Sequence, residues 1–338
     1  YHRSCGTVDL EVSSRSTGGQ MARGPLYEKE YKHQFSGHET FPLRYGWLKK
    51  AYDAVSDTEG DEDNKRVFLG DDAIARFGVG KNMVASMRHW ATVAGIVEEP
   101  QGSQMIRTTE LGRKLFGADG LDPYMEHPAT LWLIHWHLAA LPTKTTWFWA
   151  FNHFPAVAFQ RDNLLKGLAR LANDRAWARV AGATIKNDVA CFIRTYVAQR
   201  PSGHAGLDDA LESPLTELGL IKSTGRDNFR FVRGPKSTLG NGVFVYALLD
   251  FWARRSATAT LSFEAIAHEP GGPGRVFLLD ENDVADRLAE LEDATEGALR
   301  WSEATGLRQV VRDPVRKTAE PLSYVDKDFA ASAQQEAA

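Results

Sequence analysis

The densest run of reactive side chains is the string Phe35-Ser36-Gly37-His38-Glu39-Thr40-Phe41-Pro42-Leu43-Arg44-Tyr45-Gly46-Trp47-Leu48-Lys49-Lys50. A histidine beside a glutamate can pair a general base with an electrostatic partner, and an arginine nearby can grip a phosphate through both arms of its guanidinium. Phosphodiester cleavage uses such groups, often with a divalent ion such as Mg²⁺ or Mn²⁺. His38, Glu39 and Arg44 are therefore the candidate catalytic residues, although the string does not specify metal ligands. The same residues also have a plainer use. Thr40 can cap a helix beginning near Pro42, with His38 and Glu39 bonding the loop.

A second arrangement, His135-Trp136-His137, imitates the His-hydrophobic-His motif of rolling-circle nickases, in which paired histidines bind a metal beside a tyrosine nucleophile. Residues two apart share a face on a strand but point about 200° apart on a helix. The apolar run from Thr130 to Leu141 reads as helix, so buried, hydrogen-bonded histidines are the expected outcome. There is no GxxxxGK[ST] phosphate loop, GxGxxG turn, GxSxG elbow or HExxH pair, and no PD-(D/E)xK nuclease core is legible. ATP hydrolysis, dinucleotide redox and serine hydrolase chemistry are not expected, and neither is a nucleotide cofactor. The only cysteines are Cys5 and Cys191, without zinc-finger spacing.

Positioning such groups requires a scaffold, and the stretch from Asp71 to Gly117 is the most readable part of it. Asp71 or Asp72 can cap a short helix through Phe77, and Gly78-Val79-Gly80 supplies a turn. A second helix follows, with Met83, Val84, Met87, Trp90, Ala91 and Ala94 on one face and Gly95 at its end. Ile96-Val97, a polar turn at Pro100–Ser103, and Met105-Ile106-Arg107 read as a hairpin, after which Thr109 caps another helix. This is the order of a winged helix-turn-helix, whose second helix can enter a major groove. Its solvent face would carry Asn82, Ser86 and His89 flanked by Lys81 and Arg88, with Arg107 on the wing. These six are the DNA-binding candidates. The alternative is a protein-contact module on which the same residues are merely solvated.

A second winged unit is expected between Leu261 and Arg312, with Ser262 and Asp280 as caps and a hairpin around Gly306. Its would-be recognition helix carries Glu281, Asp283, Asp286, Glu290 and Glu292 against a lone Arg287, a face that phosphate would repel. It is assigned to packing or partner contact. Between the two units, Asp122 to Tyr196 reads as helical, with Pro128 opening one helix and Trp132, Trp136, Trp147, Trp149, Phe148, Phe151 and Phe154 as core material. Those rings could instead stack on unpaired bases. Another helix carries Ile185, Val189, Phe192, Ile193 and Tyr196 on its apolar face, with Lys186, Asn187, Asp188 and Arg194 as polar members.

The chain's 338 residues, 43% hydrophobic and 25% charged with a formal charge of −4, are those of a globular protein rather than a fibrous or disordered one. The fold class expected is mainly α and multi-helical, with winged helix-turn-helix modules and small β-hairpins. Its divisions are a mobile lead-in at 1–30, an N-terminal winged module at 31–120, an aromatic-rich helical domain at 121–215, a winged-like module at 216–312, and a flexible tail at 313–338. Polar breaks are expected at 56–63, 199–214 and 269–274. The longest apolar run is too short to span a bilayer, and no charged-then-apolar leader opens the chain, so the expected setting is the cytoplasm without membrane contact. The first residue is Tyr1 rather than methionine, which leaves room for a natural start upstream. A pI near 6.2 excludes a uniformly basic coat but not a local basic face.

Several strings taken together resemble the SspB-type proteins of bacterial DNA phosphorothioation clusters, which are unrelated to the protease adaptor sharing that name. They are Phe35–Lys50, Gly80-Lys81-Asn82-Met83-Val84 with Arg88-His89-Trp90, and Asp122-Pro123-Tyr124. They continue through Thr130–Trp136, Trp147 with Phe151-Asn152, Lys186-Asn187-Asp188 with Cys191-Phe192, and Ser213–Gly219. The resemblance spans roughly residues 33–312. It implies a DNA-nicking component of the machinery that replaces a non-bridging phosphate oxygen with sulfur on one strand, in the service of anti-phage defence. The implied partners are DNA, a cysteine desulfurase, an ATPase and an ATP-pyrophosphatase-like sulfur-transfer protein. The resemblance assigns no catalytic residue. A nickase and a non-enzymatic DNA-binding adaptor that positions the sulfur-transfer enzymes therefore both stand. Transcriptional repression is weaker, because the chain is large and has no evident small-ligand domain.

Overall fold

Apolar spacing at helical period accounts for the first elements of the chain: α1 (Trp47–Ser56), α2 (Gly70–Phe77), α3 (Lys81–Val93) and α4 (Glu110–Phe116). The structure is a computed structural model and describes residues 24–177, 180–198 and 212–336. Between α2 and α3, Gly78 takes the left-handed conformation (φ 67°) that stops the first helix and allows the second to start. Asp71 and Asp72 lie in the first turn of α2 rather than at its cap, which is Leu69; there they still favour the positive end of the helix dipole. Between α3 and α4, β1 (Val97–Glu98) pairs antiparallel with β2 (Arg107–Thr108), a ladder of two residue pairs. Thr109 caps α4 as its type predicts, its hydroxyl accepting from the Gly112 amide at 2.9 Å. Gly95 follows α3 with φ 71°, and a side chain there would drive a Cβ within 2.6 Å of the His137 ring.

The helix α5 (Pro128–Ala140) is apolar on every side, the pattern of a central buried helix. Around it pack α6 (Thr145–Asn152), α8 (Gly182–Tyr196) and α9 (Asn241–Arg255), with α7 (Arg161–Asp174) against α8. The rings of Trp132, Trp136, Trp147, Phe148 and Phe151 are buried between these helices, so they are core rather than a stacking platform for bases. Both ring nitrogens of His135 are used internally, Nδ1 with the Tyr196 hydroxyl and Nε2 with the Val276 carbonyl, each at 2.8 Å. His137 points elsewhere, to the Tyr246 hydroxyl at 2.9 Å, as helical geometry requires. Beside the bundle lies a three-stranded antiparallel sheet of β3 (Ala158–Gln160), β5 (Asn228–Phe231) and β4 (Ile221–Gly225), in the order β3-β5-β4.

The C-terminal part runs β6 (Thr260–Ser262), α10 (Phe263–His268), α11 (Pro273–Val276), α12 (Glu281–Ala289), α13 (Leu291–Ala294), β7 (Leu299–Ser302) and β8 (Gln309–Arg312), with sheet order β6-β8-β7. Both expected caps are present: the Ser262 hydroxyl accepts from the Ala265 amide, and Asp280 forms a capping box with Asp283. The result is a mainly α protein with small β-hairpins.

The described residues near both ends are more ordered than their composition predicts. Residues 1–23 of the expected lead-in lie outside the described residues, but Leu26 is fully buried. Likewise, residues 199–211 of the polar break lie outside the described residues, whereas Ser213 caps the turn Pro214–Leu218. Beyond Pro314 the chain does not fray as expected. Leu322, Tyr324 and Val325 are buried, and α14 (Asp326–Glu336) brings the Asp328 carboxylate to the amides of Gly242 and Val243 at 2.9 and 2.8 Å. A short apolar anchor and a cap donated from a distance tie down a segment that looks polar. No helix among the described residues is long and apolar enough to cross a membrane.

Burial lowers the pKa of His135 from 6.5 to about 4, and that of His153 to about 4 as well. A group depressed in the folded state protonates first in the unfolded chain, so its contribution is complete above 6.5 and is lost as pH falls towards 4. For the fully buried His135 ring this is on the order of 3 kcal/mol. Urea titrations should show stability falling between pH 7 and pH 5; a flat profile would contradict neutral burial of these rings.

Candidate functional site

The loop that carries the candidate catalytic string is held in an unusual shape. Gly37, Glu39 and Thr40 have φ of 102°, 46° and 66°, so glycine is followed closely by side-chain-bearing residues in the left-handed region. Such residues cost about 1–3 kcal/mol each and persist only where surrounding contacts over-determine them. Here those contacts are explicit. The carbonyl of His38 accepts from Ser86 Oγ at 2.9 Å and from the Phe41 amide at 2.8 Å. The carbonyl of Phe41 accepts from Trp90 Nε1 at 3.0 Å and Cys191 Sγ at 3.3 Å, and Arg194 donates to the Thr40 carbonyl. Gly37 is required because a Cβ there would lie 2.4 Å from His89 Nδ1. No helix begins near Pro42; α1 starts at Trp47 after a left-handed Gly46, so Thr40 does not act as a helix cap.

The centre of this arrangement is the His38 ring. Its Nδ1 accepts from the Thr40 amide at 3.0 Å, which leaves the proton on Nε2, and Nε2 donates to Asp188 Oδ1 at 2.8 Å. The same carboxylate oxygen accepts from Lys144 Nζ at 3.2 Å, and Lys144 also reaches the Ser36 carbonyl at 3.3 Å. Lys144 and Asp188 are wholly buried, His38 is 2% exposed, and Lys144 lies 5.0 Å from the Trp147 ring centre. The partner of His38 is thus Asp188 on α8, not its neighbour Glu39, which is exposed. With both ring nitrogens engaged, His38 locks the loop and has no free lone pair for a substrate proton. Arg44 is also buried, its guanidinium 5.5 and 5.4 Å from the Phe41 and Trp47 ring centres.

What remains open is a cleft of about 700 Å³, whose walls include Gly37, Glu39, Arg88, His89, Glu99 and His137. Burial holds the His89 imidazole well below the usual histidine range, with Lys144 and His38 adding repulsion for a proton. Its Nε2 is buried and has no hydrogen-bond partner among the described residues. Arg88 meets Glu99 through both arms, Nε to Oε1 at 2.7 Å and Nη2 to Oε2 at 2.5 Å. These bonds push the Arg88 pKa up and the Glu99 pKa down, and Lys65 stands 3.6 Å from the same carboxylate.

The DNA-binding candidates therefore divide. Lys81 and Asn82 at the start of α3 and Arg107 on β2 are exposed, with no side-chain hydrogen bond or ion pair among the described residues. Ser86 is wholly buried and spends its hydroxyl on the His38 carbonyl, so it is not on the solvent face. His89 is mostly buried against Gly37, because its side of α3 is covered by the loop. The residues that sequence reasoning missed are Asp188 and Lys144. Asp188 had been only a polar member of an amphipathic helix, and nothing in Thr143-Lys144-Thr145-Thr146 signals a buried ammonium.

Residues 35–327 match the family described as a protein of unknown function (DUF4007). A solved magnesium ion-bound SspB superposes with a TM-score of 0.75 at 33% identity, covering 90% of this chain and 88% of that one. The chain belongs to the SspB family. A second SspB crystal structure gives 0.74 at 32% identity over the same shares of the two chains. Comparison with curated proteins finds no match. The family match takes in the loop, α3, Lys144 and α8 together. Among the described residues no group of three or more His, Cys, Asp or Glu is placed to hold a metal ion.

Removing one member of a buried ion pair leaves the other uncompensated, at about 3–5 kcal/mol. Asp188→Ala should destabilise the fold by that amount, whereas Asp188→Leu combined with Lys144→Met should recover much of the loss. Denaturant melts of the three proteins would check this, and equal stability of Asp188→Ala and the parent would refute it.

Proposed function

We propose that this chain is a DNA-binding component of a bacterial DNA phosphorothioate-modification system that serves anti-phage defence, and that it nicks the duplex. The observation that carries the reading is family membership over nine-tenths of the chain at one-third identity to SspB. DNA contact is supported by Lys81 and Asn82, which stand unpaired at the N-terminal end of a 13-residue helix, where orphan amides also favour phosphate. The order α2, turn, α3, β1-β2 hairpin is that of a winged helix-turn-helix, with α3 as the groove helix and Arg107 on a short wing. Arg88 can join the contact only by exchanging Glu99 for a phosphate. The strand order β6-β8-β7 around α10 and α12 is compatible with a second winged unit, but Glu281, Asp283 and Asp286 make α12 unsuited to DNA, and Arg287 is turned inward to the Leu239 carbonyl at 2.8 Å. That unit is the natural contact for the implied protein partners, the cysteine desulfurase, the ATPase and the ATP-pyrophosphatase-like protein.

For nicking, Glu39 supplies the exposed carboxylate at the cleft, while His38 and Arg44 act from behind it by fixing the loop. Mg²⁺ or Mn²⁺ is the expected cofactor, in keeping with the magnesium of the SspB relative. The described residues offer no preformed cage for such an ion. A second reading, the non-enzymatic adaptor, is favoured by one observation: His38 and Arg44 are buried rather than presented to substrate.

Supercoiled plasmid incubated with Mg²⁺, Mn²⁺ or EDTA separates the two. The nickase gives open circles that depend on metal and disappear in Glu39→Gln while DNA binding persists. Plasmid that stays supercoiled yet shifts on a gel selects the adaptor. In either case Lys81→Ala and Arg107→Ala should weaken binding across all sequences and reduce the slope of log affinity against log salt by about 1 each. Unchanged affinity in both would remove α3 and its hairpin from the interface.

A further inference from the structure

The outer face of the sheet β3-β5-β4 carries an arrangement that folding alone does not favour. In the register of that sheet, Lys222 on β4 lies directly opposite Arg230 on β5, and Arg230 lies opposite Ala158 on its other side. Lys222, Arg230 and Ala158 are all exposed. Side chains directly opposed on adjacent strands have Cβ atoms about 5 Å apart, and like charges there destabilise the sheet. Neither cation has an ion-pair or hydrogen-bond partner among the described residues. Nearby acids are engaged elsewhere, Asp227 with Arg161 at 3.1 Å and Asp162 with Lys166 at 2.7 Å. Arg226, exposed in the turn between the strands, lines a cleft with Asp227 and Phe229 and is not part of this pair.

Alternation decides what this face can bind. Phe159, Phe229 and Phe231 point into the core and are buried, so the outer face has no ring on which a base could stack. Beside the cations it presents Ala158 and the Gln160–Asn228 pair, whose side-chain amides bond each other at 3.2 Å. An unscreened pair of cations on a flat face without aromatics or acids matches a run of phosphates and not base edges.

We propose that the outer face of β3-β5-β4 is a second DNA contact, in which Lys222 and Arg230 grip the phosphodiester backbone of the duplex. This rests on the DNA-binding reading above and adds to it a site remote in sequence from α3. Binding phosphate relieves the Lys222–Arg230 repulsion, so the face gives up stability in the free protein and regains it in the complex.

The test is a fluorescence-anisotropy titration of a labelled duplex with the full chain at several salt concentrations, together with thermal melts. Lys222→Glu converts the opposed like charges into an opposite pair, so the melting midpoint should hold or rise while affinity falls about tenfold and the salt slope becomes shallower by about 1. Lys222→Gln should fall between the two, and Lys222→Arg should bind as the parent does. Unchanged affinity and slope in Lys222→Glu and Arg230→Gln, alongside a loss in Lys81→Ala, would overturn the sheet contact and leave the DNA-binding reading intact. Failure of the parent protein to bind duplex would overturn both.

Discussion

Lys144 and Asp188 form an ion pair from which water is excluded, and the His38 ring completes it. Taking those charges out of water costs more than their attraction alone returns unless every remaining hydrogen bond is well made. That constraint shapes the neighbourhood, although it is met only in part, because Asp188 Oδ2 is buried with no hydrogen-bond partner among the described residues. The lysine reaches back to the Ser36 carbonyl, the histidine accepts from its own loop through Nδ1, and the α8 carboxylate faces both. A loop, the start of α6 and the middle of α8 are thereby joined at one point. The geometry of each depends on the other two being in place.

The left-handed run at Gly37, Glu39 and Thr40 is a consequence of that junction. The loop carbonyls turn inward to Ser86, Trp90, Cys191 and Arg194, and Glu39 is left on the outside at the edge of the cleft. Strain stored there and balanced elsewhere is a common companion of function. It also shows how a charged, conspicuous string can be divided by the fold. His38 and Arg44 become supports, and of the three catalytic candidates Glu39 alone keeps access to solvent.

Charge is likewise separated over the surface. Lys81, Asn82 and Arg107 stand free near one end of the chain, Lys222 and Arg230 crowd one another on the β3-β5-β4 sheet, and α12 is acidic. A net charge of −4 thus conceals faces of opposite sign, and a phosphate polymer and a basic protein would select different ones.

Local signals in the sequence determined the helices and their ends. Thr109, Ser262 and Asp280 cap where their types say they should, Gly78 and Gly95 break where they stand, and the period of α3 and α8 marks the apolar side chains that pack inward. These depend on neighbours a few residues away, so the chain carries them openly. The same logic kept His135 and His137 apart, because a helix turns them to different faces. It failed wherever the deciding contact is remote. His38 meets Asp188 across 150 residues, not the adjacent Glu39. Ser86 and His89 lie on a side of α3 that a helical wheel leaves polar, and only the loop packed over it makes that side interior. The tail beyond Pro314 is ordered because Asp328 caps α9 from 86 residues away. Periodicity records which residues share a face of one element, whereas burial of a lysine or a carboxylate is set by what other elements bring to that face. That was decided only in the tertiary structure.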